Sequence, residues 1–373
     1  MSHWVSAWGQ AHTELRFFTP GFSDNTMLVS VTGQQTGTAL RLRFSNREGK
    51  TSYSICEGMV RIDEGEEHAL TFSGHSSVRV EAGQEIYSDE IKTPVQAGDL
   101  ITIALAFSGK VMSGNGIEVP VIRASKKGNF VHAPQFDALM RGKSEAYHDT
   151  IRPIAALASI EVLADDKAGS LVCFGDSITQ QSRWTGPLSW MLCGSGLGAI
   201  NKGIGGNRML SDPMFKGMGM YGRRALDRYD RDVLDEAGVR AVILALGTND
   251  LGMCRSPESR GGVTADMLMA GNEEMTKKAR TKGLKVYCAT VTPRTGVFGW
   301  KPSHEAERQK LNQMIRTSSL FDGVIDFDKA LRNPSHPQIM DMRLDSGDHL
   351  HPGVLGGKRM AEMAFEVIKK DLL

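Results

Sequence analysis

Three polar residues of the chain have types and spacing that suit acyl transfer: Ser177, Asp348 and His351. Ser177 closely follows the apolar run 171–174, where a helix is expected to begin, so backbone N–H groups and the positive end of a helix dipole would surround its hydroxyl. In Asp348-x-x-His351, one turn of chain can bring the carboxylate to one imidazole nitrogen, which leaves the other nitrogen free to accept a serine proton. The spacing indicates a nucleophile, its base and the carboxylate that orients the base.

The same residues are open to simpler interpretations. A serine at the start of a helix commonly serves as the N-cap, and this alternative stays open for Ser177. His349 and His351 lie two residues apart and could both ligate a metal, but no further His, Cys or Glu cluster completes a zinc set. The five cysteines include no C-x-x-C pair, which argues against a zinc ribbon. We therefore expect no bound metal.

Two further segments contain groups that could bind an oxyanion. The glycine-rich run 203–206 lets the backbone approach a ligand closely, although a tight turn would use the same residues. Asn249 follows an apolar run, and its side-chain amide could donate to a developing negative charge. An Asx-turn or a helix cap is the alternative for Asn249.

The elements that would position these residues form a strand–helix alternation after Gly169. Apolar runs predict strands, and amphipathic stretches predict the helices between them. Because the strands are apolar throughout, we expect a parallel sheet covered on both faces, with the site at the carboxyl ends of its strands. The predicted strands are 171–174, 197–201, 239–247, 284–293 and 323–327, and the predicted helices are 183–194, 223–236, 264–282, 303–318 and 354–371.

The first part of the chain has a different pattern. Leu40, Leu42 and Phe44 alternate with arginines, which is the period of a half-buried strand. Similar runs recur without a helix-period segment and predict an antiparallel sandwich or jelly roll. We place an N-terminal β domain at 1–150 and a catalytic α/β domain at 151–373. The predicted strands of the first domain are 26–32, 39–46, 78–82, 99–107 and 117–123.

Composition excludes several classes of protein. The chain has 373 residues, enough for two domains, and its 44 Lys and Arg nearly balance 43 Asp and Glu, which argues against a nucleic-acid partner. No apolar run approaches the ~20 residues of a membrane span, and the start lacks the layout of a secretion signal, so we expect a cytoplasmic protein. The run 217–222 matches the letters of a dinucleotide-binding motif, but no strand precedes it, so no such cofactor is expected.

The motifs together resemble the SGNH (GDSL-type) hydrolase superfamily. Similarity to a bacterial subfamily with an N-terminal β-sandwich extends over nearly the whole chain, for example at Trp4 to Trp8 and Arg43 to Asn46. Ile178 replaces the leucine of the GDSL name, a conservative change at a packing position. The superfamily blocks match Gly175-Asp176-Ser177, Gly206, Gly247-Thr248-Asn249-Asp250 and Asp348-x-x-His351.

The resemblance implies a flavodoxin-like three-layer α/β/α catalytic domain and assigns the site residues. Ser177 would be the nucleophile, His351 the general base and then acid, and Asp348 the residue that orients the imidazole. The Ser177 N–H, the Gly206 N–H and the Asn249 amide would form the oxyanion hole. The implied reaction is ester hydrolysis through an acyl-enzyme, without a cofactor.

The substrate is expected to be a small-molecule or oligosaccharide ester, with acetyl or another short acyl group on a carbohydrate as the first choice. Esters of lipids or aryl alcohols, transfer to an acceptor alcohol, and a carbohydrate-binding protein with an idle hydrolase domain remain alternatives. Phe298 and Trp300 follow the fourth strand and could stack on a sugar or aryl group, or simply cover a neighbouring core. The expected substrate contacts are Asp176, Trp184, Arg208, Phe298 and Trp300.

Overall fold

The computed structural model describes residues 2–15, 22–115, 121–132, 147–149, 154–213, 219–253 and 262–373. The chain divides into two compact units, Met1–Ala168 and Gly169–Leu373. The sequence places the division after residue 150. The strand Leu157–Ala164 accounts for the difference, because it pairs with two strands of the first unit. Among the described residues, no helix is both long enough and apolar enough to cross a membrane.

The first unit consists of antiparallel strands, as the alternating sequence pattern predicts. Within the described residues, one sheet has the order β1-β16-β5-β9, and a larger one has the order β14-β13-β4-β10-β6-β7, with β8 also paired to β6. One small sheet pairs β11 with β3, and another has β12 paired with both β15 and β2. The strands are β1 (His3–Gly9), β2 (Thr13–Glu14), β3 (Phe22–Ser23), β4 (Asn25–Thr32), β5 (Leu40–Ser45), β6 (Tyr53–Ile62), β7 (Glu67–Ala69), β8 (Val78–Val80), β9 (Glu85–Tyr87), β10 (Leu100–Ser108), β11 (Lys110–Val111), β12 (Ser113–Asn115), β13 (Val121–Lys127), β14 (Tyr147–Asp149), β15 (Ile154–Ala155) and β16 (Leu157–Ala164).

The two larger sheets share one hydrophobic core. Leu40, Leu42 and Phe44 of β5 are fully buried, and Ile101 and Ile103 of β10 join the same cluster from the other sheet. The burial of these residues therefore confirms the buried face that the sequence alternation predicts. The part of the predicted strand 117–123 before residue 121 lies outside the described residues.

The second unit is a three-layer α/β/α structure around a parallel sheet. Its strand order is β18-β17-β19-β20-β21, and every pairing in it is parallel. The strands are β17 (Gly169–Gly175), β18 (Leu197–Gly203), β19 (Val239–Ala245), β20 (Lys285–Ala289) and β21 (Gly323–Ile325). The α-helices are α1 (Ser177–Gln180), α2 (Thr185–Leu192), α3 (Ala225–Tyr229), α4 (Thr248–Met253), α5 (Ala265–Thr281), α6 (Pro302–Thr317), α7 (Phe327–Leu331) and α8 (Val354–Leu372); Gly219–Tyr221 forms a 3₁₀ turn and Asp230–Leu234 a π-helical turn.

Both faces of this sheet are covered. Leu171 and Cys173 of β17 pack in one hydrophobic cluster with α2 and α8, whereas Val172 and Phe174 pack in another with α5 and α6. The predicted fold class is confirmed. Since β17 lies between β18 and β19, the strand order reverses there, which is where ligands bind in open parallel sheets.

Candidate active site

The turn after β17 places Ser177 at the first position of α1. The Ile178 N–H donates to the Asp176 carboxylate at 3.0 Å, so Asp176, not Ser177, is the N-cap of the helix. Gly175 allows this tight turn, because a Cβ there would collide with the Thr179 hydroxyl and with a carbonyl of β19. Ser177 is left half-buried, and its hydroxyl is not needed as the helix cap.

His351 bridges Ser177 and Asp348. Its Nε2 lies 2.8 Å from Ser177 Oγ, and its Nδ1 lies 2.6 Å from Asp348 Oδ2. The Leu350 and His351 N–H groups donate to the other carboxylate oxygen of Asp348 at 3.0 and 2.8 Å. Partial burial opposes ionisation, but these hydrogen bonds outweigh it and hold the pKa of Asp348 well below its usual range. The structure thus brings together the three residues that the sequence singles out.

The neighbouring His349 bonds a different carboxylate. Its Nδ1 lies 2.8 Å from Asp345 Oδ2, and its backbone takes a positive φ of 61°. The ring packs against Gly296, where a Cβ would come within 3.2 Å of it. In the described part of the chain, no group of three or more His, Cys, Asp or Glu side chains is arranged to hold a metal ion.

Gly206 and Asn249 lie after the strands that flank β17. Gly206 has a φ of +72° and packs against Tyr221, whose ring a Cβ would strike. Asn249 lies in the first turn of α4, is 3% exposed, and donates from Nδ2 to the Asn207 carbonyl at 3.1 Å. Within the described ranges, neither the Ser177 N–H nor the Gly206 N–H has a hydrogen-bond partner. Both donors are therefore available to a ligand.

The other expected substrate contacts differ in exposure. Phe298 is fully exposed, and Trp300 is half-buried with its ring 5.2 Å from the Arg294 guanidinium. Arg208 is buried and donates to the Asp212 carbonyl. Trp184 has no exposed surface for a substrate to touch, because its ring packs edge-on against Phe327 in the core, 5.2 Å between centroids.

Two buried carboxyl groups lie next to these motifs. Burial raises the pKa of Asp176 to about 7 and that of Asp250 to about 6. Asp250 accepts the N–H groups of Met209 and Leu210 at 2.8 and 3.0 Å, which ties the chain after Gly206 to α4. Asp250 therefore holds the segment that follows Gly206 in place through backbone hydrogen bonds.

Several buried residues around the site are absent from the sequence predictions. The Arg228 side chain is fully buried under the strand ends, and Arg294 donates to the Thr248 carbonyl at 2.7 Å. Asp345, which holds His349, also has no motif of its own. No sequence signal identifies Arg228, because a charged residue within a predicted amphipathic helix is usually a solvated one.

Comparison with known proteins gives the following similarities. A comparison with curated sequences finds no match. Among solved structures, a GDSL-like lipase from Bacteroides thetaiotaomicron is 20% identical, with 55% of this chain and 90% of that chain covered and a TM-score of 0.42. A carbohydrate acetylesterase family member from Sinorhizobium meliloti is 16% identical (55% and 99% covered, TM-score 0.43), and an acetyl xylan esterase variant from Geobacillus stearothermophilus is 17% identical (54% and 96% covered, TM-score 0.42).

A family model assigns the second unit. The model of the GDSL-like lipase/acylhydrolase family matches residues 173–359, half of the chain, and this span includes Ser177 and His351. The resemblance noted in the sequence is thereby confirmed. The chain belongs to the GDSL-like lipase/acylhydrolase family and is an ester hydrolase.

Proposed function

We propose that the chain is a serine esterase in which Ser177 is the nucleophile, His351 the general base and then acid, and Asp348 the residue that orients the imidazole. The observation that carries the proposal is the continuous hydrogen-bonded path through His351, with 2.8 Å from Nε2 to Ser177 Oγ and 2.6 Å from Nδ1 to Asp348 Oδ2. Membership of an ester-hydrolase family supports the same chemistry.

Acylation begins with transfer of the Ser177 hydroxyl proton to His351 Nε2 while Oγ attacks the ester carbonyl carbon. The imidazolium keeps its Nδ1–H on Asp348, whose pKa lies well below its usual range, so the carboxylate stays ionised and stabilises the positive charge. His351 then gives the proton to the leaving alkoxide, the C–O bond breaks, and Ser177 carries the acyl group.

Three donors are assigned to stabilise the negative charge that develops on the carbonyl oxygen: the Ser177 N–H, the Gly206 N–H and the Asn249 amide. Support comes from the two backbone N–H groups, which lack partners in the described residues, and from the burial of Asn249. Donors of this kind each contribute ~3 kcal/mol to transition-state stabilisation.

Deacylation repeats these steps with water in place of the alcohol. His351 removes a proton from the water, the resulting oxygen attacks the acyl carbon, and the tetrahedral intermediate collapses with return of the proton to Ser177 Oγ. The products are the carboxylic acid and the alcohol, so water is the only co-reactant required.

The proposed substrate is a short acyl ester, acetyl in the first instance, on a carbohydrate. The short acyl group is proposed from the resemblance of the sequence motifs to GDSL-type hydrolases. Phe298 offers a fully exposed ring on the loop whose Gly296 contacts His349. Such a ring can stack on the apolar face of a sugar.

An acyl-length series tests this proposal. Aryl esters from acetyl to octanoyl are compared with acetylated oligosaccharides, and Ser177→Ala serves as the blank. We expect the highest kcat/KM for acetyl esters, release of acetate from the oligosaccharide, and no turnover in Ser177→Ala. Turnover that persists in Ser177→Ala would overturn the assignment of the nucleophile, whereas a preference for octanoyl would overturn only the substrate class.

A further inference from the structure

A buried arginine lies directly beneath the proposed oxyanion donors. Arg228 belongs to α3 and is 2% exposed, and its guanidinium lies 4.0 Å from the centre of the Phe174 ring. Burying a charge takes several kcal/mol of desolvation free energy, and an apolar side chain of similar size often stabilises a core better. The charge at this position therefore calls for an explanation beyond packing.

The guanidinium donates to three separate segments of the second unit. Nη2 donates to the Gly175 carbonyl at 2.9 Å, Nη1 to the Lys202 carbonyl at 3.0 Å, and Nε to Asn207 Oδ1 at 3.0 Å. Gly175 ends β17 just before the nucleophile, and Lys202 lies at the end of the neighbouring β18. Asn207 directly follows Gly206. Each acceptor thus lies within a few residues of a proposed oxyanion donor.

The third donor is connected to the same arginine through Asn207. The Asn249 amide donates to the Asn207 backbone carbonyl at 3.1 Å, while the Asn207 side chain accepts from Arg228. The Asn207 amide in turn donates to the Tyr221 and Arg223 carbonyls at 2.8 Å each, which fixes the residue on a further stretch of chain. All three proposed donors are therefore linked to one guanidinium.

We propose that Arg228 is a positioning residue for the oxyanion hole, which sets the spacing of the Ser177 N–H, the Gly206 N–H and the Asn249 amide. The inference rests on the proposed function of those donors. A planar guanidinium holds several acceptors in fixed directions at once, whereas a lysine ammonium is a single point with rotatable donors. Since a misplacement of about 1 Å can reduce a catalytic rate ~100-fold, rigid spacing of the donors has a direct effect on kcat.

A π-helical turn supplies the counter-charge. Asp232 lies in this turn, and its Oδ2 is 2.9 Å from Arg228 Nη1. Asp232 also accepts from Arg231 Nε at 2.7 Å. Burial lowers the pKa of Arg228 to about 10, in spite of Asp232, so the guanidinium stays charged at neutral pH. Asp232 thereby pairs with the Arg228 charge, and the three bonds from the guanidinium to Gly175, Lys202 and Asn207 remain in place.

Arg228→Lys tests the proposal, with Arg308→Lys as the matched control. Arg308 is also fully buried, donates to a carbonyl at a strand end (Val291, 2.8 Å) and pairs with a buried carboxylate (Asp328, 2.6 Å). None of its bonds reaches a proposed oxyanion segment. Both variants are expected to unfold at lower temperature than the wild-type protein. At a temperature where both are folded, kcat should fall ~100-fold in Arg228→Lys with KM within about threefold, and by less than about threefold in Arg308→Lys.

A transition-state analogue provides a second readout. A boronic acid becomes tetrahedral and anionic on Ser177, so its inhibition constant should rise in Arg228→Lys by about the same factor as kcat falls. If Arg228→Lys does not fold, Arg228→Gln removes the buried charge and leaves Asp232 with its Arg231 partner. Equal losses of kcat in the Arg228 and Arg308 variants, or an unchanged inhibition constant, would overturn the proposal. Loss of the nucleophile assignment would instead be seen as turnover in Ser177→Ala.

Discussion

Asn249 and Asn207 are joined by a hydrogen bond between the segments that follow the two strands flanking β17: Asn249 Nδ2 donates to the Asn207 carbonyl at 3.1 Å. An amide nitrogen carries two protons, so one of them remains for a substrate oxygen. The bond fixes the rotation of the amide before any substrate arrives. A donor held in this way needs little reorganisation when negative charge develops, which is the condition under which such groups lower a barrier most.

Asn249→Ala should therefore reduce kcat ~100- to 1,000-fold and leave KM nearly unchanged, because the lost bond forms mainly in the transition state. Steady-state kinetics on an acetyl aryl ester measures both constants. Asn312→Ala is the control, since Asn312 is equally buried and its amide bonds the Val291 backbone at 2.8 Å. The control should lose stability but keep kcat. A raised KM with unchanged kcat in Asn249→Ala would contradict the proposed role.

The two adjacent histidines give a matched pair of variants. His351→Ala should lower kcat by three or more orders of magnitude, because it removes the proposed base, which contacts Ser177 Oγ. His349→Ala should lower it far less, since His349 bonds Asp345 and not Ser177. Single-turnover measurements on each purified variant give the comparison. The reverse order would show that His349 supplies the base.

Alanine variants of Gly206 and Gly283 separate the effect of backbone strain from the effect on catalysis. Both have a positive φ, +72° and +71°, but a Cβ would strike Tyr221 at Gly206 and meet nothing at Gly283. Each alanine variant should lose about 1 kcal/mol of stability to the left-handed conformation, and Gly206→Ala should lose more through the ring contact. Only Gly206→Ala should also have a lower kcat, because the contact with the Tyr221 ring would displace the Gly206 N–H. Equal kcat values for the two variants would argue against a Gly206 donor.

The raised pKa of Asp176 predicts a pH-dependent contribution to stability. The group titrates at about 7 in the folded protein and near 3.8 when unfolded, so between these values the folded state holds a proton that the unfolded state has released. The free energy of unfolding therefore falls as pH rises from about 4 to 7, by an amount on the order of 4 kcal/mol.

Asp176→Asn removes this titration and keeps an oxygen for the Ile178 N–H. The thermal midpoint of the variant, relative to that of the wild-type protein, should rise between pH 4.5 and pH 8. A calorimetric series at four pH values measures the difference. A constant offset at every pH would show that Asp176 does not titrate in this range.

The architecture of the second unit could be predicted because its signals are local. The predicted helices 264–282 and 303–318 match α5 and α6 within one residue at each end, since their amphipathic period is regular and both have clear starts. The predicted helix 223–236 is α-helical only from Ala225 to Tyr229. After Tyr229 the chain forms a π-helical turn, which the hydrophobic period does not distinguish from an α-helix.

The first unit contains a strand that the alternating pattern does not reveal. β6 pairs with β10 along most of its length, yet the sequence predictions omit it. The register shifts between Ala106 and Phe107 of β10, so that buried positions no longer alternate regularly along β6. A bulge of this kind breaks the two-residue period on which strand prediction depends. The sequence therefore predicts the class of this unit better than its pairing.

The residues of the site also differ in whether the sequence could predict them. Ser177 and His351 could be predicted because each lies in a short motif with a chemical reason for its spacing. Arg228 could not, because its partners are carbonyl oxygens that only the fold brings together. The burial of Trp184 is likewise a property of packing against Phe327, and the sequence shows only a tryptophan near Ser177.

The strand order of the second unit has a consequence for biosynthesis. Ser177 lies after the first strand of its sheet, whereas His351 follows the last one, β21. The proposed nucleophile is therefore synthesised 174 residues before the imidazole that is proposed to activate it. Under the proposed assignment, hydrolysis requires that the segment around His351 has been synthesised and packs beside Ser177. A chain that ends before His351 would accordingly lack the proposed base and should not hydrolyse esters.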